Sequence, residues 1–467
     1  MNKVKVYLVG AGPGGNDLIT VRGLNTLREA DVVIYDYLVD RKLLQEAKEG
    51  AELICCDKLR KNRYSDGFLI HQEKINKLLV KKAREGKKVV RLKNGDPVIF
   101  GRLSQELEAL LKNRIEFEVI PGVTAASVAA GLSGIPLTDR RFASSCVFVT
   151  GHEDPSKRTS LLDWNSISKV GTIVLYMAVE NVNKIVKKLI NAGKNEDAPV
   201  AIVKDAGLLT QKVLTGTLGN IVTRAKEQNI KPPAIIIIGE VVKLEKEFNW
   251  LKKNKRILFT GISPQRFFEK GTIFHQPLIK MEPLNDYKEF DKEIRSIDGY
   301  DWIIFSSRYG VQYFFQRLYK IGYDTRRLSE VKIAAIGNST RNWLLDFGVI
   351  ADVVPKEESS KGLINEFKKI DIRNRRIFLP RSDISDKGLA QGLSSLGAKV
   401  TSCVAYKNVM PDNLPDLDLR FFDEVMFTSP SGVRNFVKRY GTLPKSVKVR
   451  CIGDVTFKEA RRWHLLG

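Results

Sequence analysis

Cysteine and histidine are scarce. The 467 residues hold five cysteines (Cys55, Cys56, Cys146, Cys403 and Cys451) and four histidines. None of the cysteines forms a C-x-x-C pair, so zinc-ribbon spacings and a disulfide scaffold are both excluded. Reduced, buried thiols of a cytoplasmic protein are the expectation. No apolar run reaches the ~18 residues a membrane span needs. The opening Met1-Asn2-Lys3-Val4 leads straight into a strand-like run, so no secretory leader is expected.

Acidic residues are also in deficit. Net charge is +23, with +10 carried up to Trp250 and +13 after it. The excess is spread over both halves and is not a tail. A surface of this kind attracts polyanions: nucleic acid, acidic lipid or a polycarboxylate metabolite. Nucleic acid is the weakest of these, because no basic stripe is interleaved with aromatics.

What is present is a long alternation of apolar runs and helical periods. Lys3–Val9 and Val32–Tyr35 read as strands around a helix at Leu18–Ala30. His71–Glu85 reads as a helix and Lys88–Leu92 as a strand. Thr172–Met177 and Ala234–Ile238 read as buried strands. The fold class is therefore α/β. Lysine- and glutamate-rich 246–255 reads as a linker, and a fresh strand starts at Arg256.

Gly10-Ala11-Gly12-Pro13-Gly14-Gly15 follows a strand and precedes a helix, which fits G-x-G-x-x-G, with Asp36 ending the next strand. An NAD-dependent oxidoreductase is one reading. Pro13 weakens it, because it removes an N–H from the loop that would wrap a pyrophosphate.

The second half repeats itself. DWIIFSSRYGVQYFFQRL (Asp301–Leu318) matches DEVMFTSPSGVRNFVKRY (Asp423–Tyr440), and VKIAAIGNST (Val331–Thr340) matches VKVRCIGDVT (Val447–Thr456). Two similar α/β lobes are implied. Each unit ends a strand on Ser or Thr and then starts a helix, which offers hydroxyls and N–H groups to carboxylates. Ser307, Thr340, Ser429, Ser431 and Thr456 are the expected substrate contacts on this basis. The first copy continues with a strand and a helix for which the second has no counterpart, so a shortened final lobe is expected.

Five ordered segments resemble the tetrapyrrole methylase family, and within it the uroporphyrinogen-III C-methyltransferases: VYLVGAGPGGNDLIT, GLNTLREADVVIYDYLV, VVRLKNGDPVIFGR, PGVTAASVAAGLSGIPLTDR and PPAIIIIGEVV. From Arg256 onward, SSRYGV, AIGNST, LPRSD, VAYKNV, TSPSGV and CIGDVT resemble the uroporphyrinogen-III synthases. The resemblance implies a bifunctional enzyme. One half methylates uroporphyrinogen III at two pyrrole carbons, using S-adenosylmethionine and giving precorrin-2 and S-adenosylhomocysteine. The other closes hydroxymethylbilane into uroporphyrinogen III. A methylase acting on another corrinoid is the alternative within the family. Neither half is expected to need a metal.

The residues follow from the same resemblance. The methyl-donor site maps onto Pro13, Asn94, Gly95, Asp96, Ile99, Thr124, Ala125, Met177 and Ala206. Asp36 and Lys58 align with a proposed proton acceptor and donor, and Tyr406 with a tyrosine assisting departure of hydroxide. Asn94 and Ala206 stand where glycine is usual, Asp139 where histidine is usual, and 57–67 is lengthened. The substrate carries eight carboxylates, for which Arg102 is the expected partner, with Arg60, Arg63, Arg91, Arg140 and Arg141 as further candidates. The implied layout has methylase lobes at 1–120 and 121–245. A discontinuous synthase lobe occupies 256–282 and 406–467, and an inserted lobe 283–405. A homodimer through the methylase half is expected, with no nucleic-acid or membrane partner.

Overall fold

The computed structural model describes residues 5–56, 68–153, 160–264, 267, 270–412 and 414–466. The chain forms two compact units, Met1–Arg256 and Ile257–Gly467.

The first unit holds two sheets. β1 (Lys5–Gly10), β2 (Val32–Tyr35), β3 (Glu52–Cys55), β4 (Val89–Lys93) and β5 (Glu116–Ile120) run in the order β3-β2-β4-β1-β5, and all neighbours are parallel. The crossovers use helices Val21–Arg28, Phe68–Arg84 and Leu103–Lys112. The first of these starts later than its apolar pattern suggests, because the Thr20 hydroxyl accepts the Gly23 N–H (3.1 Å) and caps it there. β2 is apolar on both faces, the edge strands β3 and β5 carry exposed or ion-paired glutamates, and central β4 buries two charged side chains. There Arg91 and Lys93 are each only 3% exposed.

β6 (Cys146–Thr150), β7 (Thr172–Tyr176), β8 (Pro199–Lys204), β9 (Lys212–Thr217) and β10 (Ala234–Ile238) make the second sheet, in the order β6-β7-β10-β8-β9. Only β6 and β7 pair in parallel; β10 runs antiparallel to both β7 and β8. The segment expected as a linker is not one. Within 246–255, Asn249 and Leu251 are buried, and the Trp250 indole N–H donates to Gly131 O at 2.9 Å. The Glu245 carboxylate accepts from Asn249 and Lys252, so the charges that suggest a solvated tether are satisfied within a packed turn.

The second unit holds β11 (Arg256–Phe259), β12 (Thr272–His275), β13 (Lys280–Glu282), β14 (Trp302–Phe305), β15 (Lys332–Ala335), β16 (Arg376–Ser382), β17 (Lys399–Val409), β18 (Glu424–Phe427) and β19 (Lys448–Cys451). They divide into a four-stranded sheet, β12-β11-β18-β19, and a five-stranded one, β13-β17-β16-β14-β15. The chain thus leaves the first sheet after β12, builds the whole of the second, and returns at β18. β13 already pairs with β17, which itself continues to Val409, so the change of sheet falls a few residues outside the expected 283–405. The repeated segments form equivalent pieces, β14 with helix Arg308–Lys320 and β18 with helix Pro430–Tyr440. All five cysteines are unpaired.

Candidate functional sites

In the first unit, three loops meet beyond the ends of β1, β4 and β5. A Cβ on Gly10 would lie 2.5 Å from the Gly122 Cα, and one on Gly122 would lie 2.3 Å from Gly95 O. The glycine-rich loop spends its amides on its neighbours. Ala11 N–H goes to Lys93 O (2.8 Å), Gly12 N–H to Gly95 O (3.1 Å), and Gly15 N–H to Gly207 O (3.1 Å). Gly14, at φ +81°, sits where a Cβ would strike Ala206 O and the Gly207 carbonyl carbon at 2.7 and 2.6 Å. The loop therefore locks the two lobes of this unit together. It does not wrap a pyrophosphate, and the dinucleotide reading fails on that geometry.

Gly95 is different. Its φ is +71°, yet a Cβ there would meet nothing closer than 3.9 Å, to Ala125 N and Val123 O. One flank of the Asn94-Gly95-Asp96 turn is thus open. Around it stand Thr124, which leads into helix Ala125–Ser133, and Tyr176. The Thr124 and Tyr176 hydroxyls are 2.6 Å apart, and Tyr176 also accepts the Ala126 N–H at 3.2 Å. Burial raises the Tyr176 pKa, against the pull of those two bonds. Ile99, Ala125 and Ala206 pack with Tyr176 in one apolar cluster. Met177 follows at φ +51° and is 53% exposed. Asp96 accepts the Val98 N–H at 2.8 Å. The expected methyl-donor residues therefore gather in one place, and Pro13 joins them through its carbonyl, which a Cβ on Gly207 would approach to 2.8 Å. An open glycine flank, paired hydroxyls and an apolar floor fit an adenosyl thioether. Tyr176 was not anticipated; its only sequence signal is its place at the end of a buried strand.

Asp36 lies beside this turn. One carboxylate oxygen accepts from Arg91 Nη2 and the other from the Asn94 N–H at 3.0 Å. Burial works against its charge, but Arg91 and Lys93 outweigh that and hold its pKa below the ordinary value. Arg91 is spent within the fold and is not available as a surface receptor for substrate carboxylates: its Nε also donates to Glu106 (3.0 Å). Arg102 opens helix Leu103–Lys112 at φ +55° and its Nε donates to the Gln105 amide oxygen. Arg141 pairs with Asp139 in a turn. Lys58, Arg60 and Arg63 lie outside the described residues.

In the second unit, Ser307 and Ser429 hold equivalent positions. Each hydroxyl accepts the N–H three residues on, from Gly310 (3.0 Å) and Gly432 (3.1 Å). Ser307 Oγ is also 2.8 Å from the Tyr406 hydroxyl. Tyr406 is 4% exposed, and its ring stacks on Tyr313 at 5.3 Å. Burial raises the Tyr406 pKa and pushes Tyr313 up to about 12. The expected open row of hydroxyls is only partly present. Thr340 and Thr456 are each 3% exposed, and Ser431 is 7% exposed with its Oγ 3.1 Å from the Ser429 hydroxyl. Among the described residues, hydrogen bonds that cross between the lobes of this unit include Arg308 to Ser263 Oγ (2.7 Å) and Asn408 to Ser431 Oγ (3.3 Å). The Arg308 guanidinium also lies over the Tyr309 ring at 4.9 Å, a contact that sequence reasoning missed.

Comparison with known proteins follows the same division. Residues 5–222 match the family described as Tetrapyrrole (Corrin/Porphyrin) Methylases, and residues 269–465 match Uroporphyrinogen-III synthase HemD. A porphyrin biosynthesis protein HemD of Ruminiclostridium josui is 34% identical over 98% of this chain and 94% of its own. The uroporphyrinogen-III C-methyltransferase of Methanocaldococcus jannaschii is 47% identical over 51% of this chain and 96% of its own. An S-adenosyl-L-methionine-dependent uroporphyrinogen III methyltransferase of Methanosarcina barkeri is 43% identical over 52% of this chain and 94% of its own.

Proposed function

The chain belongs to the tetrapyrrole methylases through its first unit and to the uroporphyrinogen-III synthases through its second, and from that premise we propose which residues carry each activity. It is a bifunctional enzyme: the second unit closes hydroxymethylbilane into uroporphyrinogen III, and the first methylates that product to precorrin-2.

The observation that carries the assignment in the first unit is the open flank of Gly95. S-adenosylmethionine, when bound, supplies a methyl group on an electrophilic sulfonium. Gly95, Thr124, Ala125, Ile99 and Ala206 form the surface that holds it, with Met177 at the exposed rim. Holding two reactants in line supplies several kcal/mol of barrier lowering. Asp36 sits beside the turn as a carboxylate that receives the pyrrole's proton. Its bonds to Arg91 and Asn94 fix its orientation and hold it ionised, at the cost of some basicity, since the depressed pKa makes it a weaker proton acceptor than a free aspartate.

In the second unit, Tyr406 keeps its proton at neutral pH because burial raises its pKa, and Ser307 holds its hydroxyl. It is the group that donates to the departing hydroxide. Arg308 and the Ser307 and Ser429 helix starts receive substrate carboxylates. Pairing of two copies through the first unit is expected from the family resemblance alone. Among the described residues no helix is long and apolar enough to cross a membrane, and the expected cytoplasmic setting is part of this reading.

Gly95→Ala tests the donor site. The new Cβ meets no protein atom within 3.9 Å, so the fold loses only the ~1–2 kcal/mol of a left-handed alanine. Binding of S-adenosylhomocysteine, measured by calorimetry, should fall at least ~tenfold because the methyl occupies the ligand's space. Unchanged affinity removes the donor from this turn. Supplying hydroxymethylbilane and S-adenosylmethionine to the full chain should give precorrin-2.

A further inference from the structure

Glu106 is a charged side chain with no exposed surface, set in the first turn of helix Leu103–Lys112. Its Oε1 accepts from Arg91 Nε at 3.0 Å and from Gln72 Nε2 at 3.3 Å, and its Oε2 accepts from Lys93 Nζ at 2.9 Å. Arg91 and Lys93 stand two apart on β4 and so face the same side. The far end of Arg91 holds one oxygen of Asp36, and the other oxygen of Asp36 holds the Asn94 N–H. A continuous line of bonds therefore runs from the helix, under the sheet, to the open turn. Two acids and two bases balance within it.

Charges this deep are poor value as stability, since apolar side chains of similar volume do as well or better. What the cluster does supply is direction. Both ends of the Arg91 guanidinium are fixed, and Asp36 has no oxygen left to swing. The backbone of Asn94, one residue before the open glycine, is tied to it.

We propose that Glu106 is a positioning residue for methyl transfer: it aims Arg91 at Asp36 and so sets the Asn94-Gly95 turn against which the methyl donor lies. The proposal rests on the donor assignment above. Glu106 touches neither donor nor substrate, and it acts only through this line of bonds.

The test uses the full chain with S-adenosylhomocysteine as probe. In Glu106→Gln the amide oxygen still accepts from Arg91, but the amide NH2 then confronts the Lys93 ammonium, donor against donor, and two cations share one anion. Adding Lys93→Met removes the facing donor and restores one anion to one cation. Glu106→Gln should weaken the probe's binding by about tenfold or more. The double variant should return to within about threefold of the parent. Hydrogen exchange at the Asn94 amide should quicken in the single variant and slow again in the double. Parent-like affinity in Glu106→Gln overturns the proposal. So does a loss that Lys93→Met does not relieve, since Glu106 then only fills the core. If Glu106→Gln does not fold, Glu106→Leu with Lys93→Met decides alone, because it keeps the core volume and the charge balance but cannot accept from Arg91: weakened probe binding with quicker exchange at the Asn94 amide supports the proposal, and near-parent binding overturns it. Gly95→Ala separates the two readings: if it loses the probe while Glu106→Gln keeps it, the donor site stands and the role of Glu106 falls.

Discussion

At the scale of single residues, Asp36 carries the sharpest expectation. Asp36→Asn removes the charge that faces Arg91 and the developing proton, and sets its amide NH2 against either Arg91 or the Asn94 N–H, so a loss of donor affinity of about tenfold, like that of Glu106→Gln, goes with it. Turnover should fall by at least ~100-fold, as is usual for loss of a general base, while affinity for S-adenosylhomocysteine falls far less. Equal losses in the two measurements take the proton role away from Asp36. Its pKa is depressed in the fold, so its ion pair stabilises fully above the ordinary aspartate value of about 3.9. That contribution is lost as the pH falls through the lower folded value. Acid denaturation should therefore show a stability gap between parent and variant that is constant at neutral pH and closes only below the ordinary carboxylate range. Asp36 was legible as a strand-end acid beside a motif. Glu106, Arg91 and Lys93 were not legible as a cluster, because charges on an otherwise apolar strand read equally well as solvated. Their partner lies 13 and 15 residues away, on a helix whose rotation the sequence does not state.

At the scale of elements, β2 and β10 fall where their apolar runs place them, since a buried strand bounded by acids (Asp31 and Asp36) or by strand breakers (Pro233 and Gly239) has little freedom to shift. Helix starts were less legible, as the Thr20 cap shows. The glycine-rich loop was legible as a loop but not in its purpose. Its form matches a phosphate-binding turn, and only the approach of Ala206 and Gly207, nearly two hundred residues on, reveals an inter-lobe joint. Gly14→Ala tests that role. The added Cβ would press on backbone atoms at 2.6 and 2.7 Å, and the residue's left-handed φ adds strain. Backbone cannot rotate away as a side-chain end can, so a loss of roughly 2–4 kcal/mol is expected in denaturant unfolding followed by a probe in the first unit. A stability within 0.5 kcal/mol of the parent, about the noise of a neutral surface change, excludes the joint.

At the scale of the whole chain, two compact units meet at Arg256 and Ile257. The lysine- and glutamate-rich stretch 246–255 announced that division, yet the stretch itself belongs to the first unit. Its burial rests on contacts with Gly131 and Gly134 that no local pattern encodes. Calorimetry should resolve two unfolding transitions. S-adenosylhomocysteine at 100 times its Kd should stabilise only one of them, by ~2.7 kcal/mol. A shift of both transitions together would mean the units unfold as one, against the division seen here. The duplicated lobes of the second unit were the most legible large feature, because repetition in the sequence survives any uncertainty about where each helix begins.

The route of the chain through those lobes has a mechanical consequence. β11 and β19 flank β18 in one sheet, and the five-stranded lobe is spliced in between β12 and β18. A pull on the two ends of this unit is borne first by the host sheet, and the spliced lobe feels no tension until that sheet has sheared. Nor does one cut in either crossing set the lobes adrift, because the other crossing still tethers them.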